Sequence, residues 1–181
     1  FVDRSIPSVE GLEDGPLLSP RPLGPPIVAV HFTTGPAGRV ELSRQFGCYA
    51  LGVQVRGDMQ ATWLRRGREQ SVRQSVGTVV FFPPGPEHHR ILWEPSAAVE
   101  IRGVLIPPDY VEAVAGAEGL SVPRALEPVF GFRHADLERR LVRLATAEAG
   151  ADPLADECDG RALVFELLGL GRRTRRRADR R

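Results

Sequence analysis

Lysine is absent from this sequence, and all 24 basic side chains among its 181 residues are arginine. Physics alone does not bar lysine from every exposed position, so we read the bias as a codon-composition habit of the source that decides nothing about function. Net charge of one sign is nearly absent too. At a formal +1 the molecule has no long-range pull on nucleic acid or on an acidic membrane surface, and any such attraction must be local. Cysteine is scarce. Cys48 and Cys158 are only two and far apart, so neither a disulfide framework nor a thiolate metal site is indicated, and we expect a reducing cytoplasm. No uninterrupted apolar run approaches membrane-spanning length, so no membrane partner is expected. The start at Phe1, without Met and without a basic segment ahead of an apolar one, is expected to be that of a fragment or a processed chain. Of the four histidines none falls between Arg39 and Leu64. Hydrophobic residues at 42% and charged residues at 26% are ordinary for a folded globular chain.

Proline comes first among what is present. Pro7, Pro16, Pro20, Pro22, Pro25, Pro26 and Pro36 exclude a long helix in the first forty or so residues, and residues 1–26 read as an arm. From 27 to 108 the pattern is one of short strands. A strand at Ile27 to Thr33 precedes an alternation of Val40, Leu42 and Phe46 with polar neighbours. Tyr49, Leu51, Val53 and Val55 then share one strand face, with smaller or polar residues on the other. Gly57-Asp58 supplies a tight turn into Met59 to Leu64. Further strands fit Glu69 to Gln74, Thr78 to Phe82, His88 to Trp93 and Ala98 to Ile106. Many short strands at close spacing favour a barrel or sandwich over a parallel sheet. After Pro108 the period changes to that of helices over 109–171. Asp109 is placed to cap a short helix to about Ala117, stopped by Gly119. A second runs from about His134 to Ala149 with Leu137, Leu141 and Leu144 on one face, and a third starts at Asp152-Pro153. Residues 172–181 are an arginine-rich tail or linker stub, opposed only by Asp179.

From Gly77 the chain reads glycine, five residues, Pro83, one residue, Gly85, two residues, His88, which resembles the second conserved motif of the cupin superfamily; that motif's final asparagine falls at Leu92 here. FFPPGPEHHR, Phe81 to Arg90, is more similar still to the loop in the amino-terminal domain of AraC/XylS transcription regulators. YALGVQVRG before it, then LIPPDYV, Gly131-Phe132 and two helices, follow the order of that group over roughly residues 27 to 171. The resemblance implies a mainly β fold with C-terminal helices, a cupin-like double-stranded β-helix, or jelly-roll barrel, backed by an antiparallel helix pair. It also implies a domain that binds a small-molecule effector and forms a homodimer. In that group a linker leads on to a domain with two helix-turn-helix units, and the residues after Leu170 are too few for one. We therefore expect DNA to be reached only through a C-terminal part that this chain lacks.

Within the barrel, alternation gives Leu42 and Phe46 an inward face. If His88 points inward at the barrel mouth, Arg90 lies near the same side, where a buried guanidinium needs an acceptor such as a ligand carboxylate, Glu100 or solvent. The resemblance orients Ile101 and Gly103 inward as well. These six residues are the candidate ligand contacts, in a largely apolar cavity. The alternative for each is an ordinary core residue. On the last helix Leu163, Leu167 and Leu170 form one apolar row and Val164 with Leu168 a second. One row can serve the barrel and the other a partner subunit, so Val164, Leu167 and Leu168 are the candidate dimer contacts. Cupin enzymes hold a divalent ion through two His and a Glu on an earlier strand plus the later His. The absence of early histidines, with His88 and His89 adjacent and therefore on opposite strand faces, argues against a metal, a cofactor and an enzyme. The alternatives are a cupin-fold isomerase or dioxygenase, and a standalone chain that forms inactive heterodimers with a full-length regulator.

Overall fold

The computed structural model describes residues 17–22, 26–35, 40–44, 46–65, 68–85, 89–123, 126–146 and 152–178. Ten strands and three helices follow one another: β1 (Leu17–Pro22), β2 (Val28–Thr34), β3 (Val40–Arg44), β4 (Tyr49–Arg56), β5 (Met59–Arg65), β6 (Arg68–Gln74), β7 (Thr78–Phe82), β8 (His89–Pro95), β9 (Val99–Ile106), α1 (Pro108–Ala117), β10 (Val129–Arg133), α2 (Ala135–Thr146) and α3 (Pro153–Ala178). One sheet has the order β1-β2-β9-β4-β7-β10 and the other β3-β8-β5-β6, and every pairing is antiparallel. Leaving aside β1 and β10, the chain crosses between two four-stranded sheets in the manner of a jelly roll, which buries one face of each sheet against the other.

The arm was expected to be irregular, yet Leu17 to Pro22 pairs along its whole length with β2 despite two prolines. The reason is position. β1 is the outermost strand of its sheet, where a proline can turn its missing donor away from the ladder. The second unforeseen strand is β10, which pairs with β7 across a register shift between Val129 and Phe132. Gly131 sits at that shift with φ of 63°, and a Cβ there would lie 2.8 Å from Val72 Cγ2. Only glycine lets the edge of the larger sheet close onto β6 of the smaller one.

Alternation on β4 divides the interior in two. Tyr49, Leu51 and Val53 face the helices together with Val79, Phe81, Val104 and Ile106, and against them pack Val111, Leu137, Leu141, Leu144, Leu163, Val164, Leu167 and Leu168. Ala50 faces the opposite sheet with Phe32, Met59, Ala61, Val80, Phe82, Ile91, Trp93, Val99 and Ile101. α1 begins at Pro108 behind Pro107, so Asp109 sits in the first turn and the N-cap side chain makes no hydrogen bond, in contrast to the cap expected at Asp109. Gly119, at φ of 65°, ends the helix as expected, and the Leu120 N–H donates to Ala115 O at 2.8 Å. Asp152 caps α3 through the Ala155 N–H at 3.0 Å, and His134 Nδ1 accepts from the Leu137 N–H at the head of α2. His134 pairs with Glu166 at 3.2 Å, while Arg140 and Arg143 both reach Asp159. The contact from His134 and the two arginine ion pairs hold α2 and α3 as antiparallel neighbours.

Candidate functional site

The face between the two sheets has an aromatic end. Phe46 stacks on Phe82 with centroids 4.7 Å apart, Phe82 meets Phe130 edge-on at 5.0 Å, and Phe130 stacks on Trp63 at 3.8 Å. Phe82 is buried, while the other three are half-buried. The four come from the segment before β4 and from β7, β10 and β5, so both sheets contribute to this rim. Deeper in, Gly52 of β4 stands directly opposite Gly103 of β9. Two neighbouring strands thus present no side chain at the same level of the interior. A Cβ on Gly52 would meet Ile101 Cγ2 at 3.1 Å and Val80 Cγ2 at 3.3 Å, and one on Gly103 would lie 2.3 Å from Leu51 O. Beyond the glycines come Ile101, Gln54, Thr78, Trp93 and Gln74, all buried.

Of the six expected ligand contacts, Phe46, Ile101 and Gly103 line this interior. Leu42 pairs with Ile91 in register, with its side chain outside what is described, and His88 lies outside the described residues. Arg90 does not belong to the site. It is exposed and its Nε donates to Glu41 Oε1, a contact that raises its already high pKa further. The phase of β8 is set by Ile91 and Trp93, whose large apolar side chains take the inner face and leave Arg90 on the solvent face. A phase taken from His88 puts Arg90 on the inner side, which the structure corrects. Gln54, Gln74, Trp93, Trp63, Phe82 and Phe130 line the interior without having been among the expected contacts. Gln54 was legible, since it continues the small and polar face of β4 occupied by Ala50 and Gly52.

The dimer contacts need a second correction. Val164 and Leu167 are 0% exposed and Leu168 is 3% exposed within the single chain. Both apolar rows of α3 are buried in the core it shares with α1, α2 and the larger sheet, and no free row of Val164 and Leu168 remains for a partner. Among the described side chains of α3 the large apolar ones that are exposed are Leu154 and Phe165 instead.

Both cysteines are free, and burial pushes the Cys48 thiol up to about 11, so it stays protonated and unreactive at neutral pH. Among the described residues no three His, Cys, Asp or Glu gather closely enough to hold a metal ion, and no helix is long and apolar enough to cross a membrane.

No protein-family model matches the chain, and no curated protein matches it in sequence. Among solved structures it is similar to oxalate decarboxylase of Bacillus subtilis, at 14% identity over 61% of this chain and 34% of that one, with a TM-score of 0.44. It is similar also to vicilin of hazelnut, Corylus avellana, at 14% identity over 57% of this chain and 26% of that one, with a TM-score of 0.39. The chain therefore spans about a third of the decarboxylase's length and about a quarter of the vicilin's. By its strand order the fold is a cupin-like jelly roll. The cupin-like barrel encloses an interior that is aromatic at one end, glycine-lined at its middle and polar at the other.

Proposed function

We propose that this chain is the effector-sensing and dimerisation part of an AraC/XylS-type transcription regulator acting in the cytoplasm, with a small molecule held between the sheets. The observation that carries this is the Gly52–Gly103 pair behind the aromatic rim: ordinary core strands put large side chains at such positions, whereas here two neighbouring strands carry none and only the methyl tips of Ile101 and Val80 come over Gly52. The resemblance of Phe81 to Arg90 to that family's barrel loop supplies the class of protein. In this reading the chain binds its ligand without transforming it, needs no cofactor, and reaches DNA only through a C-terminal part outside it. Two copies pair through the outward face of α3, where Leu154 is 72% and Phe165 38% exposed, one of the few places where the surface offers large apolar groups.

The test is a fusion of the full chain to a DNA-binding domain that occupies its operator only as a dimer. The chain is expected to restore repression of a reporter, and Phe165→Glu to abolish it while leaving the melting temperature of the purified chain unchanged. Failure of the unmutated fusion to repress, or a stoichiometric transition metal in the purified chain, overturns the reading in favour of the enzyme alternative.

A further inference from the structure

Three polar atoms on the inner face of the barrel are buried without a hydrogen-bond partner: Gln54 Oε1, Gln74 Nε2 and Trp93 Nε1. Their placement follows from register. Phe32, Ile101 and Gln54 form one row across the larger sheet, and Trp93, Ala61 and Val72 form a row across the smaller one. The Phe32 and Trp93 rings meet edge-on at 4.7 Å, and Gly131 of β10 lies against Val72 of β6. The two rows therefore face each other, with β9 and β4 over β5. The central residue of the facing row is Ala61, whose side chain is a single methyl group. Gln74 stands one row further out, opposite Met59, whose side chain belongs to the same inner cluster.

The chemistry of the three atoms is specific. The Gln54 amide is oriented by its own Nε2, which donates to Gly57 O at 2.6 Å, so its oxygen is the atom left facing inward. Two N–H donors and one carbonyl acceptor sit on the inner faces of the two sheets. Buried polar groups of this kind call for a partner, and a hydroxyl can accept from one and donate to another through a single oxygen. A charged group does not fit. Among the described residues the only buried Asp, Glu, His, Lys or Arg side chains are Asp156 and Asp159 on α3, on the far side of the larger sheet. An anion would meet the Gln54 oxygen with no cation to offset its desolvation.

We propose that Gln54, Gln74 and Trp93 form a subsite for the hydroxyl end of a small uncharged molecule whose apolar or aromatic body extends toward the Phe46–Phe82 rim. Phe82 pairs with Ala50, four residues from Gln54 along β4, which sets rim and subsite about 13 Å apart at the rise of a strand. The subsite rests on the reading of the interior as a ligand chamber, and it goes further by naming the ligand's chemistry.

The test uses the full chain labelled with nitrogen-15 and two probes of similar shape, catechol with two hydroxyls and o-xylene with none. The chain has two tryptophans, Trp63 in the aromatic rim and Trp93 in the subsite, and their indole N–H signals are told apart with Trp63→Phe. Catechol is expected to move the Trp93 signal saturably, and o-xylene to move Trp63 alone. Gln74→Leu and Gln54→Leu are expected to weaken catechol binding by about tenfold or more while leaving the response of Trp63 to o-xylene intact. If o-xylene moves Trp93 as catechol does, or both leucine variants bind catechol as the parent does, the subsite is overturned while the chamber stands. If neither probe moves either indole, both fall.

Discussion

The two faces of the larger sheet belong to one set of strands and do opposite things. Toward the helices β4, β7 and β9 present Leu51, Val53, Val79, Phe81, Val104 and Ile106, large side chains that meet the leucines of α2 and α3. Toward the other sheet the same three strands present Ala50, Gly52, Gln54, Thr78 and Gly103 among fewer large groups. Each fully buried leucine on the helix side contributes roughly 2–3 kcal/mol by leaving water, whereas glycine and glutamine contribute little or cost something. If the interior is the chamber proposed above, stability and binding room need not compete for the same residues. A two-residue period lets one strand supply both, one on each side.

The contrast would break most visibly at Leu168. If α3 belongs to the stabilising half, Leu168→Arg buries an unpaired guanidinium among apolar side chains and costs about 3–5 kcal/mol, a large share of the ~5–15 kcal/mol that holds a typical domain together. The variant is expected to lose its cooperative thermal melt and near-ultraviolet dichroism. A well-folded Leu168→Arg monomer would instead return that residue to a partner interface and place α3 outside the core.

Gly52 and Gly103 sharpen the comparison from the other side, because they are paired yet clear for different reasons. At Gly103 an added Cβ runs into the carbonyl oxygen of Leu51, a backbone atom that cannot move without opening the ladder. At Gly52 it meets only the methyl tips of Ile101 and Val80. Gly103→Ala is expected to cost about 2–3 kcal/mol, at the upper end for overpacking, and Gly52→Ala about 1 kcal/mol or less. Urea denaturation of the two variants measures the gap. Equal costs would mean that both positions are governed by the same crowding and that the interior is packed as tightly as the helix side.

Most of the strands and all three helices were legible in the sequence, because alternation and the later helical period were each carried by large apolar residues. β4 and β7 begin and end where the pattern put them. What escaped was decided by partners distant in sequence. β1 carries two prolines and is held as a strand only because β2 accepts it at a sheet edge, and β10 is five residues interrupted by a positive-φ glycine. For the site, the strongest apolar face of β4 was legible, but nothing local said that it serves the helices and that the weaker face lines the barrel. The same ambiguity of phase misplaced Arg90. On α3 two apolar rows were visible, and only the packing of helices on both sides of it shows that one chain covers both.

The smallest effect tests where the helix-backed face gives way to solvent. At the start of β9 the outer face carries Glu100 and Arg102 in place of valine and isoleucine, and Glu100 Oε1 is 2.8 Å from Arg102 Nη2 and 3.0 Å from His31 Nε2 of β2. Partial burial works against ionisation here, but Arg102 and His31 outweigh it and hold the Glu100 carboxyl below the usual glutamate range. A carboxyl with a depressed folded-state pKa adds stability that is present above its unfolded value, near 4.5, and is lost as pH falls through the folded one. For a group about one-fifth exposed this amounts to about 1 kcal/mol or less after screening. Glu100→Gln should therefore melt slightly below the parent at pH 7, and the two curves should merge once the pH has fallen through the carboxyl's lowered folded-state pKa. A gap that widens toward low pH would mean that Arg102 and His31 do not hold the carboxylate. The outer face would then be governed by apolar contact up to its rim, and the division between the two faces would extend to the ends of the strands.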